Sequence, residues 1–140
     1  KQFLGATGKQ LLVEQPFRCD YGYNIRVGEN FYANMGCTIL DEALVTFGDN
    51  VLLAPNVSIY TAGHAVNVAQ RVAGWEYAYP VTVGHNVWIG GNVVILPGVS
   101  IGDNSIIGGG SVVTKDIPAN VIAVGNPCKV IRELTEDELK

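Results

Sequence analysis

The chain has 140 residues, a formal net charge of −4, 48% hydrophobic residues and 17 glycines. This length suffices for one domain with a buried core, and the apolar content excludes a disordered chain. So much glycine disfavours a helical bundle, because glycine inside a helix costs roughly 1 kcal/mol relative to alanine. The negative charge gives no general attraction for nucleic acid or for an anionic membrane surface.

The first half of the chain contains small or apolar residues at every sixth position. They form two series, Val27, Ala33, Ile39 and then Phe47, Leu53, Ile59. The step from Ile39 to Phe47 is eight residues, so two residues are inserted near Asp41 and Glu42.

Residues 60–80, here called the excursion loop, interrupt this pattern. The segment contains His64, Arg71 and Trp75 and has little aliphatic periodicity. Long insertions in compact domains are usually functional. We therefore expect a loop that leaves one coil of a repetitive structure and returns in phase at Val83.

The strongest periodicity follows the excursion loop. One aliphatic residue recurs every six positions, at Val83, Ile89, Ile95, Ile101, Ile107 and Val113. A period of six fits neither a helix nor a free strand, but it fits a parallel β-helix with one inward aliphatic residue per hexad. Gly, Asn and Asp then form the corners. The alternative, a β-sandwich with regular turns, would show alternation with period two instead.

The last segment, residues 130–140, contains helix-forming residues, and Thr135 with Glu138 matches a capping box. We expect a short C-terminal helix that flanks the open end of the stack of coils.

Histidine and cysteine usage bears on the chemistry. The chain has two histidines, His64 and His85, which is too few for a three-histidine zinc site, so no metal is expected. His85 lies in a Gly-His-Asn stretch and reads as an exposed corner residue. His64 lies near the start of the excursion loop, where it suits either a general base or a surface role. The three cysteines, Cys19, Cys37 and Cys128, form no disulfide or metal pattern, which favours a reducing, cytoplasmic setting.

Long ordered motifs resemble one family over nearly the whole chain. They occupy residues 15–25, 30–34, 48–51, 54–57, 60–64, 86–90, 108–118 and 125–132. The hexads alone match the hexapeptide-repeat acyltransferases. Two motifs narrow the resemblance to the maltose/galactoside O-acetyltransferase family, Asp20-Tyr21-Gly22-Tyr23-Asn24 and Tyr60-Thr61-Ala62-Gly63-His64.

The resemblance implies a left-handed parallel β-helix that assembles as a homotrimer, with active sites between adjacent subunits. It implies acetyl-CoA as the acetyl donor and His64 as the general base that activates a sugar hydroxyl for direct attack on the thioester. Asn34 then stabilises the oxyanion and contacts acetyl-CoA. The spacing of the hexads does not itself determine the handedness.

The resemblance also assigns binding residues. Asp20 and Glu42 match positions that contact the sugar acceptor; relatives sometimes have Ser at the first position and often have Asp at the second. The residues matching contacts to acetyl-CoA are Trp88, Gly91, Gly109, Thr114, Lys115, Lys129 and Arg132. Lys129 stands where some relatives have Arg, which changes the geometry available for phosphate recognition.

Family members begin with a further, largely helical segment. We therefore expect residues 1–16 to be a remnant of a capping segment, residues 17–129 to form the acyltransferase domain, and residues 130–140 to form the helical tail. Two alternatives remain open: the same chemistry on another acceptor (an amino-sugar, a lipo-oligosaccharide, serine or an antibiotic), and a non-enzymatic β-helical scaffold.

Overall fold

The computed structural model describes residues 3–140, so Lys1 and Gln2 of the expected capping remnant lie outside the described residues. The described chain is nearly all strand. In chain order its elements are β1 (Leu11–Val13), β2 (Phe17–Cys19), β3 (Ile25–Arg26), β4 (Phe31–Ala33), β5 (Cys37–Leu40), β6 (Val45–Phe47), β7 (Leu52–Leu53), β8 (Ser58–Tyr60), β9 (Ala62–His64), α1 (Val68–Val72), β10 (Glu76–Ala78), β11 (Val81–Val83), β12 (Trp88–Ile89), β13 (Val94–Ile95), β14 (Ser100–Ile101), β15 (Ile106–Ile107), β16 (Val112–Val113), β17 (Val121–Gly125) and β18 (Cys128–Glu133).

The strands stack into three sheets that form the sides of a coil. Sheet 1 contains β3, β6, β11 and β14; sheet 2 contains β1, β4, β7, β12, β15, β17 and β18; sheet 3 contains β2, β5, β8, β13 and β16. Each turn of the chain passes through sheets 1, 2 and 3 in that order, and strands of successive turns pair in parallel. This arrangement confirms the parallel β-helix predicted from the hexads. The strands of the stack begin at Leu11, before the expected start at Phe17.

The hexad aliphatics form the core. Val83, Ile89 and Ile95, one for each sheet, are at most 1% exposed. Each stacks on the equivalent residue of the next coil, since Ile89 pairs in register with Leu53 on one side and Ile107 on the other. Burying a side chain of this size contributes about 1.5–3 kcal/mol, and no single coil could bury its own stripe.

The corner between sheets 1 and 2 is built on a ladder of asparagines. These residues adopt the left-handed conformation, with φ between 53° and 64°, and their side-chain amides bond to one another over 2.7–3.0 Å. The ladder consists of Asn30, Asn50, Asn86, Asn104 and Asn120. Asparagine tolerates this backbone conformation, so the regular corners need no glycine at that position.

The corner between sheets 3 and 1, here called the 3–1 corner, carries the irregular connections. Successive coils pass through it at residues 20–24, 41–44, 61–80, 96–99 and 114–116. The excursion loop leaves after β8, forms the antiparallel hairpin of β9 and β10 with α1 between them, and returns at β11. Val83 then pairs with Phe47, so the coil resumes in phase.

The C-terminal segment departs from the predicted helix. Residues Cys128–Glu133 form β18, which pairs antiparallel with β17 at the edge of sheet 2. The β-branched Val130 and Ile131 favour this strand, and the free edge of β17 supplies its backbone partners. The Thr135–Glu138 capping pair does form, with both reciprocal bonds at 3.2 Å, but it closes a turn and not a helix. Within residues 3–140 no helix has the length and apolar character that crossing a bilayer requires.

Candidate active site

His64 stands at the end of β9, on the hairpin of the excursion loop. It lies directly opposite Glu76 in β10, and its Nδ1 is 3.9 Å from Oε1 of Glu76. The imidazole side chain is 66% exposed. Nδ1 is the ring nitrogen nearer the Glu76 carboxylate, at a separation too long for a direct hydrogen bond.

A glycine in the hairpin below His64 leaves room for an aromatic pair. A Cβ atom on Gly63 would overlap the ring and hydroxyl of Tyr77, which lies across the hairpin. The Tyr77 ring in turn packs beside Tyr79, with ring centroids 5.3 Å apart. Only glycine lets this aromatic pair close over the strand that carries the histidine.

Asp20 and Glu42 meet at the 3–1 corner of two successive coils. A hydrogen bond with the Asp20 carboxyl, together with burial, raises the pKa of Glu42 above its ordinary value. Oε2 of Glu42 is closed off from solvent and has no donor among the described side chains. Asp20 itself is exposed, beside a cavity of about 430 Å³ that Arg18, Thr38 and Leu40 line.

Asn34 follows β4 at the corner between sheets 2 and 3, here called the 2–3 corner. Its amide oxygen accepts the N–H of Met35 at 2.8 Å, and its own N–H bonds to the carbonyl of Leu53 at 2.9 Å. These bonds orient the side chain. Within residues 3–140 the Nδ2 group has no partner, so it remains available as a hydrogen-bond donor.

Gly91 and Gly109 occupy equivalent positions on successive coils of the same 2–3 corner. A Cβ atom on Gly91 would meet only the carbonyl oxygen of Pro55, at 3.4 Å, and one on Gly109 would lie 3.3 Å from the carbonyl oxygen of Gly91. Neither glycine has a positive φ. The fold therefore does not itself demand glycine at position 91, and the missing side chain leaves an open surface along this corner.

The other predicted residues for acetyl-CoA lie in separate places. Thr114 and Lys115 are exposed at the 3–1 corner, two coils beyond the excursion loop. Lys129 is exposed on β18. Trp88 and Arg132 line one cavity of about 690 Å³ on the outer face of sheet 2.

Arg132 is already engaged. Its guanidinium makes two hydrogen bonds with the carboxylate of Glu138, at 2.9 and 3.0 Å, and this pairing raises the pKa of the arginine. Arg132 could bind a phosphate in the same bidentate way only after Glu138 had released its guanidinium. Trp88 is 51% exposed and lies within sheet 2, so it does not pack at a coil corner.

The chain therefore brings only some of the predicted residues together. Asp20 and Glu42 are in contact, and His64 lies on the next coil of the same corner. Asn34, Gly91 and Gly109 share the 2–3 corner. No contact joins His64 to Asn34 among the described residues, so the predicted site residues form two separate groups, here called the half-sites, along two different edges of the coil.

His85 and the cysteines have structural roles. Nδ1 of His85 accepts the N–H of Asp49 at 2.8 Å, within the exposed corner predicted for it. Cys37 and Cys128 are buried and Cys19 half-buried, and burial raises the pKa of all three thiols. Residues 3–140 contain no group of three or more histidine, cysteine or acidic side chains placed to hold a metal ion.

Three residues near the site escaped the sequence analysis. Glu76 gave no signal beyond its position in the excursion loop. Asp41 and Thr61 are fully buried at the 3–1 corner, where they continue the inward phase set by Ile39 and Ile59. A polar residue in that inward phase is the signal that could have identified both.

Comparison with known proteins gives a consistent picture. A family model described as bacterial transferase hexapeptide (six repeats) matches residues 80–115. The galactoside O-acetyltransferase of Escherichia coli is 54% identical over 136 residues, which cover 97% of this chain and 67% of that protein.

Two solved structures are similar over nearly the whole chain. A maltose O-acetyltransferase from Clostridium difficile has a TM-score of 0.95 and 61% identity, covering 96% of this chain and 72% of that one. A galactoside acetyltransferase in complex with coenzyme A has a TM-score of 0.96 and 53% identity, covering 99% of this chain and 69% of that one.

Proposed function

Because the chain belongs to the hexapeptide-repeat acetyltransferases of the galactoside and maltose O-acetyltransferase type, we propose that it transfers an acetyl group from acetyl-CoA to a sugar hydroxyl, with His64 as general base. The observation that carries this proposal is the placement of His64. An exposed imidazole stands on a hairpin of a rigid coil, one coil from the Asp20–Glu42 carboxyl pair.

The proposed reaction is a direct transfer. Nε2 of His64 takes the proton from the sugar hydroxyl, and the oxygen attacks the carbonyl carbon of the acetyl thioester. The tetrahedral intermediate collapses, the C–S bond breaks, and the leaving thiolate of CoA takes the proton from the imidazolium. A hydroxyl is a poor nucleophile at neutral pH while a thioester is activated, so a base and good alignment supply most of what the reaction needs.

Charge develops on the thioester oxygen during this attack, and a fixed donor there lowers the barrier. The free Nδ2 group of Asn34 suits that task, because Met35 already holds the amide oxygen. The carboxyl pair suits acceptor recognition, since carboxyl oxygens accept hydrogen bonds from neighbouring sugar hydroxyls. The Tyr21 and Tyr23 rings, 5.3 Å apart on the loop that carries Asp20, add apolar surface for the faces of a sugar ring.

Acetyl-CoA fits the open 2–3 corner. The bare backbone at Gly91 and Gly109 would let the pantetheine arm approach the coil closely. Thr114, Lys115, Lys129 and Arg132 are the proposed contacts for the rest of the molecule, with Trp88 beside the groove. For Arg132 this requires exchange of the Glu138 carboxylate for a phosphate.

A leucine at Gly91 tests this path. We expect Gly91→Leu to raise the KM for acetyl-CoA at least about tenfold, because its side chain would occupy the space of the arm. The KM for the acceptor and the thermal midpoint should stay near those of the wild-type protein, since the new Cβ meets only one atom, at 3.4 Å. Initial rates at varied acetyl-CoA concentration measure the effect.

The matched control is Ala119→Leu, which adds a side chain of the same size at an exposed corner on another edge of the coil. It should leave both KM values unchanged. A wild-type KM for acetyl-CoA in the Gly91→Leu protein would place the arm elsewhere.

We further propose that the protein is a homotrimer with its active sites between copies. The outer face of sheet 2 presents an apolar stripe, whereas the outer face of sheet 1 is polar, with Arg26, Thr46, Thr82 and Ser100. The stripe consists of Leu12, Tyr32, Leu52, Trp88, Ile106 and Ile122. An apolar stripe of this length favours a covered surface. A second copy would also bring the two half-sites of different protomers together and shield the exposed His64 from water.

The acceptor itself stays a proposal, and an acceptor panel tests it. Two neighbouring carboxyl groups also suit a positively charged amine, so an amino-sugar is the alternative that the Asp20–Glu42 contact favours. Release of CoA thiol should be measured with maltose, glucose, a galactoside, glucosamine and serine. Faster turnover with glucosamine than with neutral sugars would favour the alternative. The cytoplasmic setting expected from the cysteines likewise stays a prediction.

A further inference from the structure

A single buried carboxylate organises the loop that carries Asp20. Asp41 is 0% exposed. Its Oδ1 accepts the N–H groups of Asp20 and Tyr21 at 3.1 and 2.8 Å, and its Oδ2 accepts those of Gly22 and Asn24 at 2.7 and 3.3 Å. The backbone carbonyl of Asp41 also accepts the side-chain amide of Asn24 at 2.8 Å. One side chain therefore holds four backbone donors of this loop.

Thr61 has the equivalent role on the next coil. It is also 0% exposed, and its hydroxyl donates to the carbonyl of Leu40 at 2.7 Å and accepts the N–H of Ala43 at 3.0 Å. Its own carbonyl accepts the N–H of Tyr79 at 2.8 Å. Thr61 thus ties the turn that carries Glu42 to both ends of the excursion loop.

Asp41 and Thr61 occupy inward positions of the coil, where an aliphatic side chain would be enough to fill the core. A buried carboxylate or hydroxyl costs free energy unless it is hydrogen-bonded. The carboxylate of Asp41 is bonded to residues 20–24, and the hydroxyl of Thr61 is bonded to Ala43 and to Leu40 at the end of β5. Together they link residues 20–24, residues 41–44 and the excursion loop into one network. Those three connections carry Asp20, Glu42 and His64.

We propose that Asp41 and Thr61 are positioning residues that set the acceptor-binding carboxyl pair and the general base in register across three coils. The proposal rests on the function proposed above for Asp20, Glu42 and His64. Neither residue touches the reacting atoms; they act through the backbone of the loops that they hold. The acetyl-CoA surface at the 2–3 corner lies outside this network.

Two near-isosteric variants test the proposal. Asp41→Asn turns an NH₂ group towards backbone donors, and Thr61→Val removes the hydroxyl without changing the shape. We expect both to lower kcat/KM for the acceptor at least about tenfold, because small misplacements of reacting groups are costly. Both should leave the KM for acetyl-CoA within about twofold of the wild-type value. A fall in stability alone would not produce this split.

Ser105→Ala is the matched control. Ser105 is a buried hydroxyl that donates to the carbonyl of Pro118 at 2.7 Å, away from the 3–1 corner. It should lower the thermal midpoint as Thr61→Val does while keeping wild-type kinetics. Thr61→Ser keeps the hydroxyl and should restore most of the wild-type kcat/KM for the acceptor. Comparison of Thr61→Val with Thr61→Ser therefore tests the proposal even if Asp41→Asn does not fold. Acceptor kinetics in Asp41→Asn and Thr61→Val that match those of Ser105→Ala would overturn the proposal.

Hydrogen exchange separates this inference from the proposed function. The amides of Asp20, Tyr21, Gly22 and Asn24 should be protected in the wild-type protein, should exchange fast in Asp41→Asn and should stay protected in Ser105→Ala. If no sugar supports turnover by the wild-type protein, the proposed function fails, whereas this exchange pattern still decides whether Asp41 holds the loop that carries Asp20. Equal protection of these four amides in Asp41→Asn and in Ser105→Ala would show that Asp41 does not hold the loop, and would overturn the proposal.

Discussion

Replacing His64 with alanine is expected to lower kcat for acetyl transfer at least about a hundredfold, the low end of what loss of a general base costs. The imidazole is the only proposed acceptor for the hydroxyl proton, and its side chain is 66% exposed, so the fold does not depend on it. The free energy of unfolding should change by no more than about 0.5 kcal/mol, as for other surface substitutions. Release of CoA thiol and thermal unfolding measure the two quantities.

The other histidine provides the control. Nδ1 of His85 accepts the N–H of Asp49 at 2.8 Å, so His85→Ala should cost about 0.5–1.5 kcal/mol of stability through the lost hydrogen bond. It should leave kcat unchanged. The two variants are therefore expected to show opposite patterns, and a His64→Ala protein that retains turnover within a few-fold would remove His64 from the mechanism.

The second large effect concerns assembly. Leu52 lies in the middle of the apolar stripe of sheet 2, paired in register between Tyr32 and Trp88, and is 47% exposed in one protomer. Leu52→Asp is expected to leave the single chain folded but to separate the proposed homotrimer, because an unpaired carboxylate would cost several kcal/mol if this face is covered by another copy. If the active sites lie between copies, acetyl transfer should fall at least about a hundredfold as well.

Light scattering after gel filtration measures the mass, and the activity assay is run at the same protein concentration. Thr82→Asp is the control, since it places the same charge on the outer face of sheet 1, between Thr46 and Ser100. It should keep both mass and activity. A wild-type protein that is active as a monomer, or an active trimer of Leu52→Asp, would contradict the proposed assembly.

The hexad pattern was sufficient to predict the coil and its core. One inward aliphatic per six residues can be satisfied only if successive coils stack, and the residues at that phase, such as Ile89 and Ile95, are fully buried. The excursion loop was also predictable, because its loss of periodicity and the return in phase at Val83 mark where the chain leaves the stack. The handedness of the coil was not predictable, since a spacing of six residues is the same in a left-handed and a right-handed coil.

The C-terminal segment shows why local patterns are not enough. Residues 130–140 have helix-forming character and a real capping pair, yet the edge of β17 offers backbone hydrogen bonds that a local pattern cannot reveal. Pairing with β17 and the strand preference of the β-branched Val130 and Ile131 therefore placed this segment in a strand.

Individual residues of the candidate site were predictable, but the contacts between them were not. Resemblance singled out His64 and the Asp20–Glu42 pair, but sequence separation alone could not show that the two carboxyls touch. Nor could it show that Glu138 engages Arg132, because that contact depends on how the last turn folds back. Asp41 and Thr61 were missed since a polar residue at an inward position reads as a break in the pattern until its partners are known.

The most direct test of the central claim is detection of the product. Purified protein should be incubated with acetyl-CoA and maltose, glucose or a galactoside, and the sugar analysed by mass spectrometry while CoA thiol is measured in parallel. We predict a sugar that has gained one acetyl group, in amounts equal to the CoA released and dependent on the protein. CoA release that does not depend on any sugar, or unchanged sugars after exhaustive incubation, would contradict the assignment.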